Sequence, residues 1–263
     1  MRIGLSQLQT MKQQGEKIAM ICCYDAATGG LAEAAGAEII LVGDSLGMLV
    51  QGHDSTLPVS IEDAVYHTRC VTRGTSKVVV LGDLPFGSYQ ASPEQAYTNS
   101  AKLMAAGATM VKLEGGALMA PAVEFIASRG IPVSGHLGLT PQSFLTIGGF
   151  KVQGKSDAAA QRVIDDAKAL ASAGACMIVL EAVPSALGKQ VQDAIDIPVI
   201  GIGAGPDVAG QILLMYDMLD IYQGRKAKFV KNFMTGAPSI LAALQTYVKD
   251  VKSGAFPSPE YCY

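Results

Sequence analysis

Short apolar runs alternate with alanine-rich helical stretches along the whole chain of 263 residues. The apolar runs, each predicted to be a strand, are 18–23, 39–43, 78–82, 110–113, 131–134, 176–180, 199–202 and a weaker run at 218–221. Helical patterns lie between them, at 61–73, 93–105, 117–128, 158–171 and 185–194. Most runs are apolar at nearly every position, as in parallel strands that are covered on both faces. The alternation therefore predicts an α/β fold with a parallel sheet.

Three segments repeat one pattern, in which a helix end closed by glycine leads into an apolar strand and then a carboxylate. They are residues 35–44, 106–114 and 173–181. Eight βα units in about 250 residues is the size of a (β/α)8 TIM barrel. The alternative is an open doubly wound sheet, which usually carries a glycine fingerprint after its first strand. Tyr24-Asp25 is not followed by such a fingerprint. We therefore predict one TIM-barrel domain over 1–263, with a short N-terminal helical extension and a C-terminal helix.

Composition excludes several classes of protein. Hydrophobic residues make up 49% of the chain, which excludes intrinsic disorder. A net charge of −3 gives no basic surface for nucleic acid. No apolar stretch approaches the roughly 18 residues that cross a bilayer, and the polar start does not resemble a signal peptide. The five cysteines lack C-x-x-C spacing and are expected to be reduced thiols. We expect a cytoplasmic protein that binds neither nucleic acid nor membranes.

Polar residues stand where five of the apolar runs end. These residues are Asp44, Asp83, Glu114, His136 and Glu181. A single carboxylate at a strand end can simply be solvated or cap the next helix. Five such residues in register are different, because the carboxyl ends of barrel strands face a common space. Like charges gathered there repel one another unless a cation joins them.

Two cations are candidates for that role. Lys112 lies two residues before Glu114, so the pleat places both side chains on one face of the strand. The other candidate is a divalent metal. Three carboxylates and few histidines make the site rich in oxygen, which favours Mg²⁺ or a similar hard cation over zinc.

This set of residues suits the chemistry of a 2-oxo acid. A hard cation beside a lysine can chelate the carboxylate and keto oxygens and stabilise an enolate. A separate carboxylate must then remove the proton next to the carbonyl, and Glu181 is the remaining candidate base. The long connections 45–60 and 137–157 follow strand ends and are expected to be lids or binding loops. The glycine-rich turn 201–205 either binds phosphate or only permits tight strand-to-helix packing.

Several longer motifs resemble those of the ketopantoate hydroxymethyltransferase (3-methyl-2-oxobutanoate hydroxymethyltransferase) family. They include residues 42–48, 51–58, 83–86, 111–116, 135–142, 180–181 and 198–205. The segment 135–142, for example, reads Gly-His-Leu-Gly-Leu-Thr-Pro-Gln. The likeness covers nearly the whole chain in order. It departs from the family pattern at Tyr216, where many members have histidine, and at Ala227, where they have proline.

The resemblance implies a TIM barrel of the phosphoenolpyruvate/pyruvate type and a specific reaction. In that reaction 5,10-methylenetetrahydrofolate transfers one carbon to 2-oxoisovalerate, giving ketopantoate and tetrahydrofolate, the first step toward pantothenate and coenzyme A. The resemblance also implies a homo-oligomer, typically a decamer. By position, the Mg²⁺ site matches Asp44, Asp83 and Glu114, the last acting through a bound water. Asp44, Ser45, Asp83 and Lys112 match the residues that contact the oxo acid in the family. His136 matches a residue of the substrate pocket, and Glu181 matches the proton acceptor.

Three alternatives remain open from the sequence. The first is an Mg²⁺-dependent carbon–carbon lyase or mutase of the same superfamily. Such enzymes commonly carry a lid cysteine, and neither 45–60 nor 137–157 contains one. The second is an aldolase that forms a Schiff base on Lys112 without a metal. The third is a non-catalytic barrel that only binds 2-oxo acids.

Overall fold

Eight parallel strands form a closed barrel in the computed structural model, which describes residues 2–263. Each strand pairs with its neighbours in chain order, and the last pairs with the first. The strands are β1 Ile18–Cys22, β2 Ile39–Val42, β3 Val79–Asp83, β4 Met110–Glu114, β5 Val133–Gly138, β6 Met177–Glu181, β7 Val199–Ile202 and β8 Gly210–Leu214. The predicted TIM barrel is confirmed, and seven of the eight predicted runs overlap observed strands.

Helices surround the barrel. They are α1 Leu5–Gln13, α2 Ala26–Ala34, α3 Leu46–Leu49, α4 Ile61–Gly74, α5 Pro93–Ala105, α6 Ala120–Ala127, α7 Phe144–Ile147, α8 Asp157–Ser172, α9 Ser185–Ala194, α10 Met215–Met218 and α11 Ile240–Ser253. The predicted helix 117–128 is divided, because the 3₁₀ turn Ala117–Met119 precedes α6. Among residues 2–263, the helices lack the combination of length and apolar character that crossing a bilayer requires.

Local sequence explains where the helices begin. The Ser92 side chain accepts the backbone N–H of Gln95, and Pro93 occupies the first turn of α5, where its missing N–H costs nothing. At the start of α2, Asp25 accepts the N–H of Thr28, and the Thr28 hydroxyl lies near the N–H of Asp25 in return. Both helices follow the carboxyl end of a strand, so their capping residues also determine how the chain leaves the barrel.

The predicted eighth strand at 218–221 is wrong. The observed β8 is Gly210–Leu214, whereas Met218 closes α10. A Cβ on Gly210 would lie 2.2 Å from the main-chain oxygen of Ile18, so glycine permits the close approach to β1. In the sequence, that glycine reads as part of a loop, and the apolar residues of β8 continue without a break into α10. The seventh βα unit also lacks its helix, because residues 203–209, which the structure describes in full, connect β7 to β8 without one.

The barrel strands are buried on both faces, by the side chains inside the barrel and by the helices around it. Every residue of β1, β2, β3, β4 and β7 is buried. This burial explains why the strand runs are apolar throughout instead of alternating. It also makes the charged residues at the strand ends costly, because burying an unpaired charge is strongly unfavourable.

Tyr247 joins α11 to the point where the barrel closes. Its side chain is fully buried, and its hydroxyl lies 2.9 Å from the main-chain oxygens of Met20 in β1 and Gln211 in β8. These strands are the first and last of the barrel. The hydroxyl therefore stabilises the junction between the two ends of the sheet.

Replacing Tyr247 with phenylalanine is expected to lower the free energy of unfolding by about 1–3 kcal/mol, because it removes the buried donor. Urea denaturation followed by circular dichroism measures this change. The matched control is Tyr66→Phe on α4, where the side chain is 62% exposed. An equal effect of the two substitutions would contradict the role given to Tyr247.

Candidate active site

A cavity of about 680 Å³ opens at the carboxyl ends of the barrel strands. The structure brings all the predicted site residues into its wall. These residues are Asp44, Ser45, Asp83, Lys112, Glu114, His136 and Glu181. This is the end of the barrel where TIM-barrel enzymes carry their active sites.

Strand register explains which side chains meet. Asp83 at the end of β3 is the register partner of Lys112 in β4. One step further around the barrel, Glu114 is the register partner of His136 in β5. Glu181 ends β6 beside Gly138. The parallel pairing of β3 to β6 therefore places an acid, a lysine, a histidine and a further acid next to one another around the rim.

Lys112 is buried among the carboxylates. Only 2% of the residue is exposed, and its Nζ lies 2.8 Å from Asp83 Oδ1 and 3.8 Å from Glu114 Oε1. Burial by itself lowers the pKa of Lys112, but attraction to Asp83, Glu114 and Asp44 outweighs burial and raises that pKa above its ordinary value. Lys112 is therefore a cation at neutral pH. A Schiff base requires a neutral amine, so the geometry does not favour the aldolase alternative.

The three acids around Lys112 carry more charge than it can neutralise. Burial raises the pKa of Asp44, Asp83 and Glu114, and the repulsion of Asp44 by Glu114 adds to the effect. When all three are ionised, three negative charges and one positive charge leave a net charge of −2. A divalent cation matches that charge, and carboxylate oxygens are ligands that Mg²⁺ accepts.

Two of the three acids are placed to hold such an ion. Asp44 and Asp83 are neighbours, since Asp83 Oδ2 accepts the backbone N–H of Asp44 at 3.0 Å. Glu114 is engaged elsewhere, because its Oε2 accepts the backbone N–H of Gln142 at 2.9 Å and its Oε1 lies 3.1 Å from His136 Nδ1. Accordingly, within residues 2–263 no three His, Cys, Asp or Glu side chains are set around one point as metal ligands.

This arrangement fits magnesium. Mg²⁺ in proteins is usually held by one or two carboxylates, while water and substrate oxygens complete its shell. Asp44 and Asp83 supply such a pair. The metal site, including the water-mediated role of Glu114, stays a prediction.

His136 stands between two carboxylates. Its Nδ1 lies 3.1 Å from Glu114 Oε1, and its Nε2 lies 3.2 Å from Glu181 Oε2 without the alignment of a hydrogen bond. Burial, reinforced by the charge of Lys112, lowers the pKa of His136, so the ring is neutral at neutral pH. A neutral imidazole has one N–H and cannot donate to both acids. In the tautomer in which Nδ1 accepts from Lys112 Nζ, 3.4 Å away, the buried Nε2 carries the proton that an oxygen of a bound substrate accepts.

Glu181 faces the cavity from β6, apart from the lysine cluster. Its side chain is largely buried, and burial raises its pKa above the ordinary glutamate value, although His136 partly offsets the rise. A carboxylate whose pKa is raised toward neutrality is a better general base than an exposed one. Glu181 is thus suited to proton transfer and lies apart from the three carboxylates around Lys112.

Sequence reasoning missed three side chains that support the site. The Tyr24 hydroxyl lies 2.9 Å from Ser45 Oγ. The Gln142 Nε2 donates to Asp44 Oδ2 at 2.9 Å, and the Tyr89 hydroxyl donates to Gln142 Oε1 at 2.7 Å. Tyr24 directly follows the apolar run 18–23, whereas Tyr89 and Gln142 lie in connections between strands. The available signal was the position of Gln142 in the long connection 137–157, already predicted to be a binding loop.

The glycine-rich turn 201–205 serves close packing. A Cβ on Gly203 would lie 2.6 Å from the Phe229 ring, and a Cβ on Gly205 would lie 2.6 Å from Ser185 Cβ. Both glycines have positive φ, which other residues rarely adopt. Of the two interpretations of this turn, the contacts favour tight packing over phosphate binding.

The outer part of the cavity is chemically different from the acid cluster. Aromatic side chains line it at Tyr222, Phe229 and Tyr263, and Asp217 also lies in this wall. The cations there are Lys151, Arg225, Lys226 and Lys228. Lys226 pairs with Asp220. This outer wall, defined by the residues just named, offers flat apolar surfaces beside positive charge.

Comparison with known proteins decides the family. A family model described as ketopantoate hydroxymethyltransferase matches residues 2–259. The chain belongs to this family. It is 54% identical, over the full length of both chains, to a 3-methyl-2-oxobutanoate hydroxymethyltransferase of Nitrosospira multiformis. It is 56% identical, again over the full length of both, to the protein of the same name in Thiobacillus denitrificans. This member of the ketopantoate hydroxymethyltransferase family is a transferase.

Solved structures support the predicted barrel type. The fold is similar to phosphonopyruvate hydrolase, whose structure was solved in complex with oxalate and Mg²⁺, with a TM-score of 0.60 and 15% identity over 80% of each chain. It is also similar to 2,3-dimethylmalate lyase of the PEP mutase/isocitrate lyase superfamily, with a TM-score of 0.57 and 15% identity over 81% of each chain. At this identity the likeness shows the fold alone, and it agrees with the TIM barrel seen in the structure.

Proposed function

We propose that this ketopantoate hydroxymethyltransferase family member transfers a hydroxymethyl group from 5,10-methylenetetrahydrofolate to 2-oxoisovalerate, giving ketopantoate, in the cytoplasm. The observation that carries the proposal is the division of the cavity wall. Asp44, Asp83 and Lys112 form one buried group, and Glu181 faces the same space from a different strand. A reaction that removes a proton next to a carbonyl needs these two functions in separate places.

The buried group is suited to the head of a 2-oxo acid. Carboxylates alone repel an anion, so the substrate needs cations between itself and the acids. Lys112 supplies one fixed charge, and Ser45 supplies a hydroxyl. Asp44 and Asp83 would hold Mg²⁺, which supplies Lewis-acid polarisation of the keto group when bound. His136 completes the proposed substrate contacts through its buried Nε2.

Glu181 is the proposed proton acceptor. The proton on C3 of 2-oxoisovalerate moves to the Glu181 carboxylate, and the electron pair of the C–H bond shifts toward the carbonyl. C3 then forms a bond to the methylene carbon of the donor, and the two C–N bonds that hold this carbon break. Water supplies the hydroxyl oxygen of ketopantoate, and tetrahydrofolate leaves with two protons, one from water and one that Glu181 releases. Burial raises the pKa of Glu181 and so strengthens it as a base, while the nearby His136 ring limits how the carboxylate turns.

The outer wall suits the one-carbon donor. Tetrahydrofolates combine a flat heteroaromatic ring with an anionic glutamate tail. The half-buried side chains of Tyr222 and Tyr263 offer faces on which a ring stacks. Arg225 and Lys228 are exposed cations at the cavity mouth, where they attract carboxylates. Binding there brings the donor toward the oxo acid from the open side.

We also propose that the protein is a homo-oligomer, with a decamer as the form that the resemblance implies. Large apolar side chains on the surface support a subunit contact. Leu118, Leu145 and Phe150 are each more than half exposed, and Phe150 stacks on Phe144. The Phe144–Phe150 stack is an exposed apolar surface, and contiguous surfaces of this kind commonly mark protein interfaces.

Exchange of the C3 proton of 2-oxoisovalerate in D₂O tests the proposed reaction without the donor. Wild-type protein with Mg²⁺ is expected to catalyse exchange, and complete chelation is expected to abolish it. Glu181→Gln is expected to slow exchange by at least about 100-fold, because it removes the base, while oxo-acid binding is retained. Proton NMR measures the exchange and calorimetry measures the binding.

Equal exchange by Glu181→Gln and the wild type would refute the base. Wild-type exchange that survives chelation would refute the metal role. Binding of the oxo acid without any exchange would support the alternative of a non-catalytic barrel.

The outer wall is tested by the double variant Arg225→Ala, Lys228→Ala. We expect the KM for methylenetetrahydrofolate to rise about tenfold, because two exposed charges are lost, while donor-free C3 exchange stays unchanged. Steady-state kinetics with both substrates measures the change. The matched control is Lys249→Ala, an exposed lysine on α11. A parallel loss of C3 exchange, or an unchanged donor KM, would contradict a donor site at this wall.

A further inference from the structure

We propose that Gln142 is a positioning residue that orients the carboxylates of Asp44 and Glu114 for the proposed metal-dependent reaction. Its kinetic consequences rest on the function proposed above, whereas its effect on the carboxylates stands on the contacts alone. Gln142 lies in the 3₁₀ turn Pro141–Ser143 after β5 and is only 5% exposed. Its position in the sequence places it in the connection 137–157, predicted to be a binding loop, but assigns it no contact with the acids.

Gln142 contacts both acids through different atoms. Its side-chain Nε2 donates to Asp44 Oδ2 at 2.9 Å, and its backbone N–H donates to Glu114 Oε2 at 2.9 Å. One residue thus holds one oxygen of each carboxylate. The second oxygen of Asp44 is left for the cavity, and the two negative groups are kept apart by a neutral donor.

The orientation of the amide is determined by its surroundings. Nε2 uses its second proton on the main-chain oxygen of Leu84 at 3.0 Å. Oε1 accepts from the Tyr89 hydroxyl at 2.7 Å and from Gln90 Nε2 at 3.3 Å. A flipped amide would place its oxygen against Asp44 and the Leu84 carbonyl, where no donor is available. The amide is therefore held with its N–H groups toward Asp44.

Tyr89 also connects the amide to the backbone of β4. The N–H of Glu114 donates to the Tyr89 oxygen at 3.1 Å. The Tyr89 hydroxyl has two acceptors, Gln142 Oε1 at 2.7 Å and the Glu114 main-chain oxygen at 3.0 Å, and the shorter contact is to Gln142. The network thus runs from the Glu114 backbone through Tyr89 and Gln142 to Asp44. It is buried throughout, and buried networks of this kind restrict the side chains they join.

A glycine lets the loop bring Gln142 to this place. Gly138 ends β5 with φ of +85°, and a Cβ there would lie 2.2 Å from the Glu181 main-chain oxygen. Leu139 N–H donates to that same oxygen at 2.8 Å. The chain therefore turns across the end of β6 and returns to the acids. Gln142 is supplied by the loop that passes directly over the strand carrying the proposed base.

The test compares Gln142→Met, which keeps the length and the backbone N–H but loses the amide, with Tyr89→Phe, which loses only the hydroxyl holding that amide. We expect Gln142→Met to weaken Mg²⁺ binding by about 10- to 100-fold, measured by calorimetry without substrate, and to lower kcat for C3 exchange. Tyr89→Phe is expected to change both quantities in the same direction by a smaller factor. The donor KM is expected to stay constant in both variants.

Gln95→Met is the matched control. The Gln95 amide also bonds to main-chain groups, at Gly87 and Ala91, but does not contact the acids. It is expected to leave Mg²⁺ affinity unchanged. Unchanged Mg²⁺ affinity in Gln142→Met, or the same loss in Gln95→Met, would overturn the proposal.

Crystal structures of the wild type and Gln142→Met give a readout that does not depend on metal or turnover. We expect the Asp44 carboxylate to rotate away from its wild-type orientation in the variant. A carboxylate that keeps its place would overturn the positioning role. Absence of Mg²⁺ binding and exchange in the wild type would instead refute the proposed function, so the two failures are distinguishable.

Discussion

The buried ion pair between Lys112 and Asp83 is the interaction on which the site depends. Its two charged atoms are 2.8 Å apart and both residues are almost fully buried. Removing one partner of a buried pair typically costs about 3–5 kcal/mol, because the other charge is left without compensation. Lys112 therefore makes it possible for Asp44, Asp83 and Glu114 to share one end of an apolar barrel. The same lysine leaves their charge only partly neutralised, which is the condition for binding a divalent cation.

The barrel places the charged cluster around Lys112 on one side of the cavity and the proposed base, Glu181, on the other. Parallel register places Asp83 beside Lys112 and Glu114 beside His136. Glu181 follows on β6, where it contacts His136 and lies away from Lys112. Lys112 opposes the effect of burial on the pKa of the acids it contacts, because an opposite charge favours the ionised form. Glu181 lies two strands away, so burial raises its pKa with little opposition from the lysine.

Much of this arrangement follows from sequence because it depends on strands. Continuous apolar runs marked seven strands, and the polar residues that ended them marked the acids, His136 and Glu181. Lys112 was identifiable because a lysine two residues before a strand-end acid shares its face. These patterns are local in the sequence, and the parallel register of the closed barrel determines which of the residues become neighbours.

The parts that sequence did not predict depend on contacts between distant segments. β8 was misplaced because Gly210 is required by its close approach to Ile18, which no local pattern records. Gln142 and Tyr89 lie in connections, where no periodicity assigns a direction to a side chain. Their role depends on a loop folding back over β6, and that path is visible only in three dimensions.

The central claim is that the buried carboxylates around Lys112 bind a divalent cation because the lysine neutralises only part of their negative charge. Proton release on Mg²⁺ binding tests this claim. Because burial raises the pKa of Asp44, Asp83 and Glu114, these groups keep their protons to a higher pH without the metal than exposed carboxyls do. Calorimetry in buffers of different ionisation enthalpy is then predicted to show proton release on Mg²⁺ binding, decreasing as the pH is raised. Mg²⁺ binding with no proton release at mildly acidic pH, or no binding at any pH, would contradict the account.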